Sequence, residues 1–204
     1  MAHAQSSAVM QPPLYSEPGS GVYNEKLGMW IFLGSEVMFF TALIGSYIIL
    51  RVAHPEAWAG HPNETPLNIP VTAVNTFLLI CSSVTMVKAF AAAQLNRQRD
   101  LRLWLVATVL IGATFVGVQV YEYRELIGHG FIPGTSLFGS TFYTMTGFHG
   151  FHVTMGVICM AFVTWKAFKG KYTGGDHRGV EVIGLYWHFV DLVWIILFTI
   201  VYLI

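Results

Sequence analysis

Apolar residues dominate five long stretches of this chain, and polar residues gather in the short intervals between them. A helix rising about 1.5 Å per residue needs about 20 apolar residues to cross about 30 Å of hydrocarbon. Stretches at about 27–50, 70–93, 103–126, 139–167 and 182–204 meet that length. The pattern predicts an all-α membrane protein, a bundle of five transmembrane helices. The first 26 residues are polar and carry Pro12, Pro13, Pro18, Gly19 and Gly21, so an extended tail (1–26) is expected ahead of one membrane domain (27–204). That tail has no Lys or Arg before Lys26, so the basic region of a signal peptide is missing. The first connection carries Pro55, Pro62, Pro66 and Pro70, and the third runs from Gly128 to Gly139. No internal repeat is visible, and the connections are too short to hold a soluble domain.

Composition supports the same class. Of 204 residues, 54% are hydrophobic and 11% charged, against about 25% charged in soluble domains. Formal net charge is zero, so the basic stripe of a nucleic-acid binder is lacking. Cys81 and Cys159 each sit alone in an apolar stretch and are expected as small buried thiols.

Charge placement sets an expected orientation. Lys26, Lys88, Arg97, Arg99, Arg102, Lys166, Lys169, Lys171 and Arg178 fall on one side, and only Arg51 and Arg124 on the other. Nine against two places the N-terminus in the cytoplasm and the C-terminus outside. The basic groups would also draw anionic lipid head groups.

An ionisable side chain at membrane depth is costly, which makes it a functional candidate. Three carboxyls qualify: Glu36, Glu122 and Asp191. Glu36 lies about 14 Å into the first span. Its neighbours one turn away are Phe32, Leu33, Phe39 and Phe40, so its partner must come from another helix. Thr41 with Gly45, and Ala42 with Ser46, are small pairs that would admit a close neighbour on that span. Gln119 stands one turn from Glu122 and is placed to bond it; Tyr121, Tyr123 and Arg124 equally suit a carboxyl reaching the membrane surface. His149 and His152 are three residues apart and expected to share a face, as are His188 and Asp191. Mutual pairing of these acids and histidines is the least costly arrangement in a low dielectric. Glu36 is expected to meet a histidine of the fourth span, and Asp191 to hold His188.

Other chemistries have thinner support. A zinc or iron site needs more ligands than His-x-x-His and one carboxylate supply, and the Glu-x-x-His motifs of a di-iron bundle are missing. Ser82 and Ser83 lack the Gly-x-Ser-x-Gly context of a nucleophile and are expected as small packing residues. Chains of Glu, Asp and His are the usual material of proton paths. A free-standing proton transporter and a quinol-binding subunit are therefore the alternatives from other classes.

Taken together, the motifs resemble subunit III of the haem–copper terminal oxidases. The matching runs are Trp30 to Phe40, Asn75-Thr76 with Ser82-Ser83, Gln119 with Glu122-Tyr123, Phe138 to Tyr143, Thr146 to Val153, and Tyr186 to Trp194. They stand in family order across 27–204. The resemblance implies a non-catalytic core subunit that binds no haem or copper, those being held by partner subunits. Its implied role is to stabilise the catalytic subunit and support proton uptake in aerobic electron transport. Implied partners are subunits I and II, a small subunit IV and membrane lipids, with phospholipid as the bound ligand, in the bacterial cytoplasmic membrane. Ser35-Glu36 matches the family's membrane-embedded, carbodiimide-reactive glutamate, and His149 and His152 match its paired histidines. Longer members have seven helices with a lipid-filled cleft behind the first two. Five spans resemble the shorter bacterial form, so whatever depends on those two helices is left open. Glu36 and Tyr186, where quinol-oxidase relatives can carry Asp and Phe, favour a cytochrome c oxidase. A quinol oxidase subunit or a nitric-oxide-reductase accessory protein is the alternative within the superfamily.

Overall fold

Among the described residues, five helices are long and apolar enough to cross a membrane, and they make up the fold. The structure is a computed structural model that describes residues 22–58, 68–134, 136–173 and 176–203; most of the expected tail, with Pro62 and Pro66, lies outside them. The helices are α1 (Asn24–Ala53), α2 (Ile69–Gln94), α3 (Gln98–Gly128), α4 (Leu137–Phe168) and α5 (Arg178–Phe198). A π-helical turn, Thr199–Leu203, extends α5, and a 3-10 turn, Pro55–Ala57, follows α1. There is no strand among the described residues. Helices α1, α3 and α4 outrun their apolar stretches at both ends, because the polar flanks continue the hydrogen-bond ladder beyond the hydrocarbon; α5 starts four residues early and gives way to the π turn after Phe198.

Local chemistry sets the ends. Asn68 caps α2, its side chain accepting from the Val71 amide, and Ser136 caps α4 by accepting from Gly139 N at 2.9 Å. Three helices close on a left-handed residue: Asn96 (φ 54), Gly130 (φ 77) and Gly170 (φ 73). In each case the next amide reaches back five residues: Arg97 to Ala92, Phe131 to Leu126 and Lys171 to Lys166. This bond satisfies carbonyls that a helix end leaves open, and glycine takes the required φ without strain.

Helices α2, α3, α4 and α5 form a closed ring in which each packs on the next and α5 returns to α2. On α3 the buried residues Leu101, Leu105, Thr108, Gly112, Phe115 and Gln119 recur at three- and four-residue steps. Helix α1 lies outside the ring, against α4 and α5, and buries only Phe40 and Tyr47. The outward faces are apolar, with Phe151, Ile158 and Phe162 exposed on α4; such a surface suits hydrocarbon. The expected close approach at Gly45 does not occur, since nothing lies within 4 Å of where its Cβ would be. That face of α1 points away from the ring. Of the two thiols expected to be buried, Cys81 is half-buried and Cys159 exposed, and neither cysteine is bridged.

Lipid is as apolar as the helix surfaces, so shape and hydrogen bonds must hold the ring. Trp187 supplies much of the shape. It is 1% exposed and sits between Gly112 of α3 and Gly156 of α4, where added Cβ atoms would come within 2.7 Å and 3.0 Å of its ring. Gly112→Ala is therefore expected to destabilise the bundle by about 1–3 kcal/mol. Gly117→Ala, which has open space around it, should be neutral. Thermal unfolding of the purified variants compares the two.

At one end of the bundle, basic side chains lie over aromatic rings: Lys88 over Trp104 at 4.4 Å, Lys166 over Phe162 at 4.3 Å and Lys169 over Trp165 at 3.8 Å. Long side chains that rest their stems on rings at a helix end keep their charge in water. At the same end Lys26 Nζ donates to Glu181 Oε1 at 2.6 Å and Tyr23 donates to Glu181 Oε2 at 3.0 Å, tying the start of α1 to α5. Burial and the neighbouring Glu181 carboxylate push the Tyr23 hydroxyl above its ordinary pKa, so it stays protonated and donating.

Candidate functional site

The buried acids and histidines separate into distinct settings. Glu36 on α1 meets His152 on α4, with Oε2 and Nε2 3.1 Å apart. The expected histidine partner is in place. His152 Nδ1 lies 2.7 Å from the Phe148 carbonyl. A carbonyl only accepts, so Nδ1 carries a proton. Nε2 then either accepts from a protonated Glu36 or, as imidazolium, donates to its carboxylate. Either way the pair shares one proton and has no net charge, which lowers its cost at membrane depth. Phe39 and Phe40 flank the imidazole at 6.2 Å and 5.1 Å between ring centres. Tyr186 on α5 donates to the His152 carbonyl at 2.9 Å, and Phe32 lies 6.2 Å from its ring. Ser35, beside Glu36, is exposed and donates to the Phe32 carbonyl of its own helix.

His149 does not join that pair. A step of three residues turns a helix by about 300°, leaving the two rings about 60° apart. His152 faces the groove toward α1, whereas His149 faces the centre of the ring. It is fully buried and stacks on Trp194 at 4.7 Å, with Phe115 edge-on at 6.2 Å.

Two expected pairings are replaced. Asp191 does not hold His188; its Oδ2 accepts from Ser83 of α2 at 2.5 Å. Asp191 faces α2 and is 6% exposed, while His188 is only partly buried. Gln119 does not bond Glu122. Its Nε2 donates to the Thr146 carbonyl at 2.9 Å, and Glu122 accepts from Thr72. In both cases an adjacent helix offers a donor at better reach than the residue one turn away. Glu122 nevertheless lies toward the end of α3 opposite the basic residues, beside a small pocket lined by Asn68, Tyr123, Glu125 and Tyr202.

Ser82 and Ser83 were expected only to pack. They form part of a ladder between α2 and α5. Trp187 Nε1 donates to Ser82 at 2.8 Å, Ser83 donates to Asp191, and Trp194 Nε1 donates to Thr76 at 2.9 Å. Ser82 and Thr76 pass their own protons to the Leu79 and Thr72 carbonyls, so those two hydroxyls both accept and donate. The sequence signal was a comparable spacing: Thr76 and Ser82, which take the indoles, are six apart, and their partners Trp194 and Trp187 are seven apart. Antiparallel helices with such spacings place each hydroxyl opposite an indole.

Among the described residues, no three His, Cys, Asp or Glu side chains converge as a metal-binding group. The fold and these contacts define an integral membrane helical protein whose acids at depth, Glu36, Glu122 and Asp191, each bond across helices. The family model for cytochrome c oxidase subunit III matches residues 21–204. The chain is 41% identical over 178 residues to a cytochrome c oxidase subunit 3 of Thermostichus vulcanus, covering 87% of this chain and 86% of that one. It is 41% identical to a probable cytochrome c oxidase subunit 3 of Mycobacterium tuberculosis, covering 87% of both. It is 42% identical to a cytochrome c oxidase subunit 3 of Synechocystis, covering 86% of this chain and 74% of that one. The chain belongs to the cytochrome c oxidase subunit III family.

The shared proton gives the site two checks. Glu36→Gln is expected to stay bound to its partners through detergent extraction, because an amide N–H can donate to Nε2. Glu36→Leu loses the bond, and its retention should fall by roughly 1 kcal/mol. Ser83→Ala leaves the Asp191 carboxyl without its donor, and the thermal unfolding midpoint should drop by an amount worth about 1–3 kcal/mol.

Proposed function

We propose that this chain is a non-catalytic core subunit of a proton-pumping haem–copper oxygen reductase that draws electrons from cytochrome c. The observation that carries the reading is the family match, which runs through all five helices. The relatives named above are called cytochrome c oxidase subunits, and they match over most of their own lengths.

In this reading the haems and copper belong to partner chains: subunit I, subunit II and a small subunit IV. The bundle flanks the catalytic subunit, stabilises it and keeps bulk water from one side. The complex sits in the bacterial cytoplasmic membrane, where this chain contacts phospholipid. The cation–aromatic pairs at one end support an orientation with that end, and the N-terminus, in the cytoplasm.

Glu36 and His152 carry the expected contribution to proton uptake. They share one proton across the groove between α1 and α4, and the movement of that proton between Oε2 and Nε2 changes no net charge. Such a pair holds a proton at depth without an isolated ion. Glu122 and Asp191 have structural parts, as do Gln119 and Tyr186: their bonds fix the register of α2 to α5.

The test is purification of the oxidase with and without this chain. Without it, the complex is expected to begin turnover and then lose activity faster than the intact complex, with slower proton uptake. Equal activity and equal lifetime in both preparations would remove the supporting role. Reduction of the intact complex by a quinol and not by cytochrome c would remove the donor.

A further inference from the structure

Aromatic side chains from α1, α3 and α5 surround the His149 ring of α4, and none of the described residues supplies it with a hydrogen bond. Its ring stacks on Trp194 of α5 and meets Phe115 of α3 edge-on. Neither Nδ1 nor Nε2 has a bonding partner among the described residues. Asn75 on α2 is 3% exposed. It donates through Nδ2 to the Phe115 carbonyl at 3.3 Å, and its Oδ1 is likewise unpartnered. The two residues share neighbours. Phe115 offers its carbonyl to Asn75 and its ring edge to His149. Trp194 stacks on His149 and bonds Thr76, the residue after Asn75.

A neutral imidazole has one N–H to donate and one nitrogen to accept, and an amide oxygen accepts. At membrane depth bulk solvent reaches none of them, so any partner they have lies inside the bundle. A phenyl ring would fill the same place without that demand. Buried waters are bound where otherwise unsatisfied polar groups come together.

We propose that His149 and Asn75 hold an internal water at the common centre of α2, α3, α4 and α5. The water accepts from the imidazole N–H and donates to Asn75 Oδ1. A polar track leads toward it from the end of the bundle opposite the basic residues. It starts at the pocket beside Glu122. It continues through Tyr123, whose hydroxyl lies 2.7 Å from Thr146 Oγ1, and Gln119, which bonds the Thr146 carbonyl. Thr146 is one turn from His149, and Gln119 one turn from Phe115. This assigns His149 a solvent-binding part distinct from the Glu36–His152 pair.

The experiment is a density map of the intact native complex, at a resolution that shows ordered water, alongside one of the His149→Phe variant. The native map is expected to show a discrete peak within hydrogen-bond distance of a His149 nitrogen and of Asn75 Oδ1. The variant should lose that peak while Trp194 keeps its bond to Thr76. A native map with no peak there, or with His149 bonded directly to a protein group, overturns the proposal. A peak that persists unchanged in the variant overturns it as well. If the variant does not assemble, the native map alone decides.

Discussion

Hydrocarbon offers no partner to a polar side chain, and that constraint shapes the contacts that hold this bundle together. Between α2 and α5 it is met by pairing hydroxyls with indoles. Ser82 takes the Trp187 N–H and Thr76 takes the Trp194 N–H. Each hydroxyl then passes its proton to a carbonyl of its own helix. With those groups satisfied, Trp187 can occupy the gap left by Gly112 and Gly156, and Trp194 can stack on His149. The relative height of α2 and α5 fixes the rungs, and the rungs fix where the aromatic cores of α3 and α4 must lie. A slip of one turn along α5 would separate both indoles from their hydroxyls and set Trp187 against side chains rather than glycines.

The five spans were legible because the requirement for about 20 apolar residues is strict. The helix ends were less so. The left-handed closures at Gly130 and Gly170 and the Asn68 and Ser136 caps extend the helices past the apolar runs. The Glu36–histidine contact was legible for a different reason: Phe32, Leu33, Phe39 and Phe40 left Glu36 no partner on its own helix. The Asp191–His188 and Gln119–Glu122 pairings failed where that elimination was unavailable. A neighbour one turn away is always near in sequence space. Its side chain nonetheless competes with whatever an adjacent helix presents, and interhelical register decides that contest. Ser83 and Thr72 stand opposite Asp191 and Glu122, so they take those bonds. Register is a property of two helices together, which no single stretch of sequence displays until facing spacings are compared.

The same distinction separates the two histidines of α4. In sequence they form one motif. In space His152 lies in the groove with α1, bonded to Glu36, whereas His149 stacks on Trp194 and meets Phe115 inside the ring, with Phe40 of α1 edge-on at 6.5 Å. Family resemblance transfers both as a pair, yet the geometry gives them different neighbours and different hydrogen-bond demands. His152 is satisfied on both sides, by the Phe148 carbonyl and by Glu36. His149 is satisfied on neither among the described residues.

Helix α1 makes the consequence for function concrete. It adds little to the buried core, contributing Phe40 and Tyr47. Polar bonds fasten it at two heights: Lys26 and Tyr23 to Glu181 at the basic end, and Glu36 to His152 deeper in the bundle. The first tie is an ion pair at the helix end, where water can reach it and its net worth is small. The second is a pair without net charge, flanked by Phe39 and Phe40 at membrane depth, where hydrocarbon offers no competing partner for the bond. Removing Glu36 therefore changes more than a titratable group, because it also releases the deeper of the two ties that keep α1 on the ring. A loss of proton uptake in such a variant has two origins, the missing proton and the displaced helix. Glu36→Gln separates them, since the amide keeps the tie and abolishes the exchangeable acid.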